Sequence, residues 1–347
     1  AVVAAMARFS SSPVKTFSIG FDQAEYDELP YARRVAAAVG GEHHEFVVRP
    51  SAVDILPAMT RHFGEPFADS SAIPSWYLAE LTRKHVTVAL SGDGGDELFA
   101  GYGRHRAGAL AERWRAVPQG IGRPVARLAR MGAVARLGGA RATRFVAAAA
   151  LSRAERYRAW AGVFSPDAMA SLSGTAAPDA SAPAEFAAAE DLDAVDAMLA
   201  VDTRFYLPTD LLPKVDITSM AHSLEVRSPL LDRDLAEFAA SLPSGLKLKG
   251  LTTKHLLKRA VAGMLPAATI RRPKRGFAVP IAHWLRHDLR TFVADHLRPS
   301  QLAAAGLVRQ PVLDALVAAH LGGEADCAHQ LWVVLMLELW YRTFQRA

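Results

Sequence analysis

LSGDGGDELFAGY, residues 90–102, joins a predicted strand to a predicted helix and guides the interpretation of the sequence around it. The strand is the continuously apolar run His85–Leu90, which favours burial on both faces. Gly92, Gly94 and Gly95 allow backbone N–H groups to approach a ligand closely, and the N-terminus of the following helix attracts anions. The stretch therefore predicts an anion-binding turn at the end of a buried strand.

The turn differs from the common phosphate-binding motifs. No Gly-Lys-Ser/Thr follows the glycines, so it is not a P-loop, and it does not match a dinucleotide fingerprint. It carries Asp93, Asp96 and Glu97 instead. Carboxylates repel a phosphate unless a hard cation lies between them, so the sequence predicts Mg²⁺ between Asp96 and phosphate oxygens. The alternative is a plain glycine-rich turn whose acidic residues stabilise a helix N-terminus.

Upstream of the turn, strand and helix patterns alternate. Such alternation predicts an α/β fold with a doubly wound parallel sheet, whose ligands bind at the carboxyl ends of the strands. The predicted strands are Val14–Phe21, Glu45–Val48 and His85–Leu90. The predicted helices are Tyr31–Val39, Ala52–Arg61 and Ile73–Lys84.

Downstream of Gly103 the sequence is helical, and no further strand is predicted. Residues 165–183 are rich in Ser, Ala, Pro and Gly, which predicts a surface loop. We interpret residues 1–102 as an α/β nucleotide-binding core and residues 103–347 as a largely helical second half of the same domain.

Composition excludes several classes of protein. With 51% hydrophobic and 22% charged residues, the chain can fold around a large core and is not disordered. Cys327 is the single cysteine, which excludes an internal disulfide or a Cys-based zinc site and indicates a reducing, cytoplasmic compartment. The apolar run Leu331–Trp340 is interrupted by Glu338 and is too short to span a bilayer. No membrane partner is therefore expected.

Positive charge is concentrated in residues 101–160, which contain thirteen Arg, no Lys and two acidic residues, whereas the whole chain has a net charge of +5. One interpretation is a surface that binds a polyanion such as nucleic acid. The other is a set of solvated, amphipathic helix faces, because Arg recurs three or four residues apart beside Ala and Leu. The sequence favours the second interpretation.

The chain opens with AVVAAMA, residues 1–7, which is typical of the interior of an apolar helix. It has no initiator Met, and no Ser, Thr, Asp or Asn cap precedes the helix. We therefore expect that further sequence precedes Ala1.

Several blocks together resemble the asparagine synthetase family, within the wider group of ATP pyrophosphatases. Residues 91–102 resemble the second nucleotide motif of that family. Further blocks match in the order of the family: TFSIGF (16–21), EHHE (42–45), PKVDITSMAHSLEVRSPLLD (213–232), KHLLK (254–258) and RPKRGF (272–277). The resemblance implies an adenine nucleotide α-hydrolase-like fold and the synthetase domain of a glutamine-hydrolysing asparagine synthetase.

The resemblance also implies a reaction. ATP and Mg²⁺ activate the β-carboxylate of aspartate as an adenylate, pyrophosphate leaves, and ammonia then displaces AMP. Ammonia is delivered in the family from an N-terminal glutaminase domain, and a first nucleotide motif, Ser-Gly-Gly-x-Asp-Ser, is expected just before Ala1. Without that loop, the chain by itself is expected to be inactive.

Site residues follow from the resemblance position by position. Ile19, Ser91, Gly92, Tyr102 and Lys214 match nucleotide contacts, and Ile19 is equally consistent with a core strand residue.

The remaining roles concern the metal and the chemistry. Asp96 matches the metal-binding aspartate, and Lys274 matches a lysine that holds the α-phosphate. Asp93 stands where several members carry Glu, linked to adenylate formation, and its shorter side chain separates it from them. Glu225, with Arg227, is a candidate to orient substrate; a buried structural Glu–Arg pair is the alternative. Asp232 is predicted to cap a helix, and His43 and His44 are predicted to be structural.

Other functions stay open at this stage. The acceptor could be a carboxylate of a sugar or a peptide, or the enzyme could be an ATP pyrophosphatase that modifies tRNA. A non-catalytic domain that binds nucleotide or a partner is the third alternative. The sequence does not set the oligomeric state, and a homodimer remains one option.

Overall fold

A computed structural model describes residues 1–49, 54–115, 145, 147–149, 151–175, 182–272 and 279–345. The described residues form a mixed α/β structure that is mostly helical. Its first part alternates as predicted, in the order α1 (Val2–Phe9), β1 (Lys15–Phe21), α2 (Leu29–Ala38), β2 (Glu42–Val48), α3 (Leu56–Phe63), α4 (Ala72–Arg83), β3 (Val88–Leu90), α5 (Gly95–Leu98) and α6 (Gly103–Arg115).

The second part is helical except for one short strand. Its elements are α7 (Arg153–Ala161), α8 (Pro166–Ser173), α9 (Ala182–Ala187), α10 (Ala194–Val201), a π-helix (Asp202–Leu211), α11 (Leu212–Met220), β4 (Glu225–Arg227), a 3₁₀ turn (Pro229–Leu231) and α12 (Arg233–Ser241). They continue with α13 (Ser244–Lys247), α14 (His255–Ala260), α15 (Ala267–Arg271), α16 (Ile281–Arg286), α17 (Arg290–Leu297), α18 (Gln301–Ala304), α19 (Gln310–Leu321) and α20 (Ala328–Phe344).

The strands form two small parallel sheets. β1 pairs with β2 from Lys15 opposite Glu42 to Phe21 opposite Val48, and β3 pairs with β4. The prediction that no strand follows Gly103 is therefore wrong. Glu225–Arg227 contains only three residues, two of them charged, so it carries no strand pattern of its own; its pairing with β3 makes it a strand.

The burial of β3 also differs from the prediction. The side chains of Val88 and Leu90 are 40% and 41% exposed, although the sequence predicted a strand buried on both faces. Among the described strands β3 has one neighbour, β4, so one of its edges is unpaired there. An apolar sequence shows that a strand can be buried but does not provide the residues that bury it.

Residues 165–183 do not begin as the predicted loop. They open with α8, which Ser165 caps by accepting a hydrogen bond from Ala168 N at 3.2 Å, and which Gly174 ends at φ +78°. Arg309 also binds this helix, with its backbone N–H donating to Leu172 O at 2.7 Å. The helix has three local signals: a Ser cap, a Pro in the first turn and a Gly at the end. The composition of the whole stretch does not show them. Residues 176–181 lie outside the described part of the chain.

Both halves of the chain contribute to one large hydrophobic cluster. It joins Phe21 of β1 and Trp76 of α4 to Trp284 of α16 and Trp332 of α20, among other residues. The strands are thus held in place by helices that lie more than two hundred residues away in sequence. Among the described residues, no helix combines the length and the apolar character needed to cross a membrane.

Glu338 is a fully buried carboxylate in the longest helix, α20. It accepts hydrogen bonds from Ser300 Oγ (2.6 Å), Gln301 N (2.8 Å), Leu302 N (3.1 Å) and Arg342 Nε (2.7 Å). Burial by itself would raise the pKa of Glu338, but these donors outweigh it and lower the pKa below the ordinary value of 4.5. Glu338 therefore fixes the start of α18 to α20.

We expect Glu338→Ala to destabilise the protein by about 3–5 kcal/mol, because it leaves buried donors without their acceptor. Since the folded-state pKa is lowered, the carboxylate stabilises the fold above about pH 4.5, and this stabilisation disappears as the pH falls. Urea unfolding of both proteins between pH 3 and 7 measures the effect, with the exposed pair variant Glu237→Gln as control. A constant stability difference across this range would contradict the assignment.

Candidate functional site

The glycine-rich turn packs against β4 and the residues that follow it. Ser91 N donates to Arg227 O at 2.8 Å, which extends the β3–β4 pairing by one residue. Ser91 Oγ donates to Asp93 Oδ2 at 2.7 Å and lies 2.9 Å from Ser228 Oγ. Gly92 is exposed, so the backbone of the turn is accessible there. The structure thus brings Ser91, Gly92 and Asp93 together at the carboxyl end of β3.

Two glycines of the turn have steric reasons to be glycine. Gly94 adopts φ +87°, and a Cβ there would overlap the side chain of Leu231. A Cβ on Gly101 would overlap both the Asp96 carboxylate and the side-chain stem of Lys254. The absence of a side chain at Gly101 therefore allows Asp96 and Lys254 to meet.

Asp96 forms an ion pair with Lys254, with 2.9 Å between Oδ1 and Nζ. Both side chains are largely buried, with 14% and 25% exposure. Lys254 lies in the block KHLLK that resembles the family, but the sequence alone assigns it no role. Only the folded chain brings α14 against the turn, so no sequence spacing could have linked these two residues.

Tyr102 and Glu97 form a hydrogen bond between two residues of the turn. The Tyr102 hydroxyl donates to Glu97 Oε1, and Glu97 is 2% exposed. Burial and the Glu97 charge raise the pKa of Tyr102. The guanidinium of Arg104 lies 4.0 Å from the centre of the Tyr102 ring and 4.8 Å from that of Tyr206. Arg104 therefore links the turn to the π-helix through cation–π contacts.

Asp202, at the start of the π-helix, is fully buried and accepts from three side chains. These are Arg104 (2.8 Å), His105 (2.6 Å) and Tyr157 (2.5 Å). Burial would raise the pKa of Asp202, but hydrogen bonding from His105 and the charge of Arg104 lower it overall. No local sequence pattern indicates this centre, because its members are spread over about a hundred residues.

Lys214, predicted to contact phosphate, is 7% exposed and is held at the start of α4. Its Nζ donates to Asp69 Oδ2 at 2.7 Å and to Ser71 Oγ at 2.8 Å. Burial and the charge of Asp69 raise the pKa of the nearby Asp210 to about 6. Lys214 is thus part of a buried charged group that neighbours the π-helix.

Glu225 and Arg227, both in β4, form an ion pair with 2.7 Å between Oε1 and Nε. The side chains are 54% and 66% exposed, so the alternative of a buried structural pair is wrong. The two residues are two positions apart in the strand, so both side chains project from the same face of β4, and that face is exposed here. Their position next to Ser91 is consistent with contact to a substrate.

The other predicted positions have structural contacts or lie outside the described residues. Ile19 is 5% exposed in β1 and belongs to the main hydrophobic cluster. Lys274 lies outside the described residues. Its neighbour Arg272 pairs with Glu28 and stacks 3.9 Å from the centre of the Tyr31 ring. Asp232 caps α12 as predicted, accepting from Leu235 N at 3.2 Å.

Three described arginines of the basic segment have internal partners. Arg104 binds Asp202, and the 2% exposed Arg156 binds Glu112 at 3.1 Å. Arg153 donates to Leu192 O at 2.8 Å. Arg104 and Arg156 are thus largely buried in ion pairs, which differs from the solvated helix faces that the sequence favoured.

The turn fits Mg²⁺ bound together with a nucleotide. Among the described residues no group of three or more His, Cys, Asp or Glu side chains could hold a metal alone. Mg²⁺ is usually held by one or two carboxylates together with substrate phosphates, so the single carboxylate of Asp96 suits it.

We expect Gly101→Ala to destabilise the protein by about 1–3 kcal/mol, because the new methyl group would overlap Asp96 and Lys254. Gly103→Ala is the matched control, since a Cβ there meets nothing within 4 Å and the residue begins α6. Urea unfolding of the two variants compares them directly. Equal stability of the two variants would contradict the close contact.

Similarity to known proteins extends over nearly the whole chain. The asparagine synthase family matches residues 1–342. The chain is 32% identical to asparagine synthetase [glutamine-hydrolyzing] 1 of Bacillus subtilis, over 94% of the chain and 52% of that protein. It is 33% identical to a putative asparagine synthetase [glutamine-hydrolyzing] of Mycobacterium tuberculosis, over 99% of the chain and 52% of that protein.

The chain spans about half the length of these two relatives. A shorter match, 38% identity over 120 residues, is to a putative asparagine synthetase of Methanocaldococcus jannaschii. The family match includes the glycine-rich turn, β4 and Lys254. This chain belongs to the asparagine synthase family, whose members use ATP.

Proposed function

We propose that this chain is the synthetase part of a glutamine-dependent asparagine synthetase. In this reaction an oxygen of the aspartate β-carboxylate attacks the α-phosphorus of MgATP, and pyrophosphate leaves with its bonding electrons. Ammonia then attacks the activated carbonyl, AMP leaves, and the nitrogen loses a proton to give asparagine. The observation that carries this proposal is the glycine-rich turn at the end of β3, with Asp96 beside Lys254.

Each residue of the turn has a chemical task in this proposal. The backbone at Ser91 and the exposed Gly92 contacts the nucleotide. Asp96 holds Mg²⁺, which neutralises the charge that develops on the phosphates. Asp93, held by Ser91 Oγ, faces the reacting carboxylate and the incoming ammonia. Tyr102 fixes the end of the turn through Glu97.

Residues outside the turn complete the assignment. Lys274 stabilises the transferring phosphoryl group, and Glu225 on β4 orients the acceptor. Ile19 contacts adenine from β1. The role of Lys214 as a phosphate contact stays a prediction, because its Nζ is already bound by Asp69 and Ser71.

The adenine nucleotide α-hydrolase-like fold belongs to the same proposal. The parallel pairs β1–β2 and β3–β4, with the glycine-rich turn at the carboxyl end of β3, support it, because ligands of open α/β sheets bind at the carboxyl ends of the strands.

Pyrophosphate release tests the acceptor. The full-length protein is assayed with ATP, ammonia and one acceptor at a time: aspartate, glutamate, a uronic acid or a peptide carboxylate. We expect aspartate-dependent pyrophosphate release together with asparagine. Pyrophosphate release only with a sugar or peptide acceptor would indicate an amidotransferase of the family that acts on another carboxylate. Retention of tRNA without carboxylate-dependent pyrophosphate release would favour the tRNA-modifying alternative.

We expect Asp96→Asn in the full-length protein to lower acceptor-dependent pyrophosphate release by about a hundredfold or more. Loss of one group that stabilises developing charge typically costs roughly 3–4 kcal/mol. Asp234→Asn removes a charge of the same kind at an exposed position of α12, outside the site, and should leave the rate unchanged. Glutamine hydrolysis, assigned to another domain, should persist in both variants. Wild-type release by Asp96→Asn would contradict the metal assignment.

A further inference from the structure

Lys254 is held in an unusual backbone conformation beside the turn. It precedes α14 with φ +51° and ψ 37°, a left-handed conformation that residues other than glycine adopt at some cost. Its backbone N–H donates to Phe99 O at 3.1 Å, within the glycine-rich turn. Residues held in such conformations often have functional roles, because the surrounding structure must impose them.

This backbone conformation directs the Lys254 side chain into the glycine-rich turn. Its Nζ lies 2.9 Å from Asp96 Oδ1 and 3.7 Å from the place that a Cβ on Gly95 would take. Its stem occupies the space that Gly101 leaves free. The ammonium is thus enclosed by the same residues that are assigned to phosphate and metal.

A second lysine adds to the positive charge at this point. Burial and the charge of Lys254 lower the pKa of Lys258, one helical turn further along α14. Two ammonium groups that repel each other favour an anionic ligand near them. Lysine, a compact charge on a flexible stem, suits contact with phosphate oxygens.

We propose that Lys254 and a divalent cation compete for the Asp96 carboxylate, and that Lys254 Nζ moves from Asp96 to the phosphates when the metal–nucleotide complex binds. The inference rests on the proposed nucleotide site and adds a residue with a defined exchange of partners. A divalent cation and an ammonium at one carboxylate oxygen repel each other, whereas the phosphates supply new negative charge for the ammonium. Lys254 therefore pairs with Asp96 in the free protein and binds the phosphates in the complex.

Two binding measurements on the full-length protein separate the two halves of this exchange. Mn²⁺ binding without nucleotide is followed by electron paramagnetic resonance, and MgATP binding is followed by calorimetry. Lys254→Met keeps the stem and removes the charge. We expect it to raise Mn²⁺ affinity severalfold, because the competitor is lost, and to weaken MgATP binding about tenfold or more, because a charged hydrogen bond is lost.

Three further variants serve as controls. Lys254→Arg retains the charge and should keep most of the MgATP affinity. Arg259→Met removes one exposed charge from the same helix and should change either affinity by less than about twofold. Asp96→Asn should abolish the gain in Mn²⁺ affinity when combined with Lys254→Met, because the gain depends on that carboxylate.

The two affinities must move in opposite directions. If both fall, Lys254 only maintains the structure of the turn, and if Mn²⁺ affinity is unchanged, Lys254 does not compete for Asp96; either result overturns the inference. Failure of the wild-type protein to bind MgATP would instead contradict the proposed nucleotide site. The Mn²⁺ measurement uses no nucleotide, so it tests the competition for Asp96 in that case as well.

Discussion

The pairing of β3 with β4 is the constraint on which the candidate site depends. Three residues on each side form this parallel pairing, and Ser91 N extends it by binding Arg227 O. Because β4 follows α11 and precedes α12, the pairing holds residues 213–232 against the glycine-rich turn. Leu231 then packs over Gly94, and α14 brings Lys254 to Asp96. A turn that is local in sequence thus becomes a site assembled from distant segments.

The described residues include two kinds of acidic group. Asp202 and Glu338 are fully buried, and each accepts several hydrogen bonds that keep its pKa low. Such groups fix one arrangement of helices, since removal of any donor leaves a buried charge without its full set of partners. Asp93 accepts a hydrogen bond from Ser91 Oγ, and Asp96, with 14% exposure, pairs with Lys254. Neither carboxylate is fully buried, which suits the exchange of partners proposed for Asp96.

Residues whose signals are local were predicted well. The α/β alternation, the cap at Asp232 and the turn after β3 depend on neighbours within a few positions, and the structure has them. The predictions that failed depended on distant partners. Glu225–Arg227 becomes a strand only against β3. The exposure of the Glu225–Arg227 pair and of β3 depends on which distant residues cover the faces of these strands. The loop predicted for residues 165–183 is wrong for another reason. The composition of the whole stretch is typical of a loop, but the Ser cap and the Gly stop of α8 are local helix signals.

The sequence by itself determined that this chain has an α/β first part, a glycine-rich turn with three carboxylates, and the motifs of the asparagine synthase family. These features are set by residue type and short spacing, so they can be recognised without a fold. Only the tertiary structure decided that Lys254 meets Asp96, that Asp69 and Ser71 hold Lys214, and that Arg104 lies over the Tyr206 ring of the π-helix. Each of these contacts joins residues about 100 or more positions apart, and such proximity results from packing of the whole core, which no local pattern encodes.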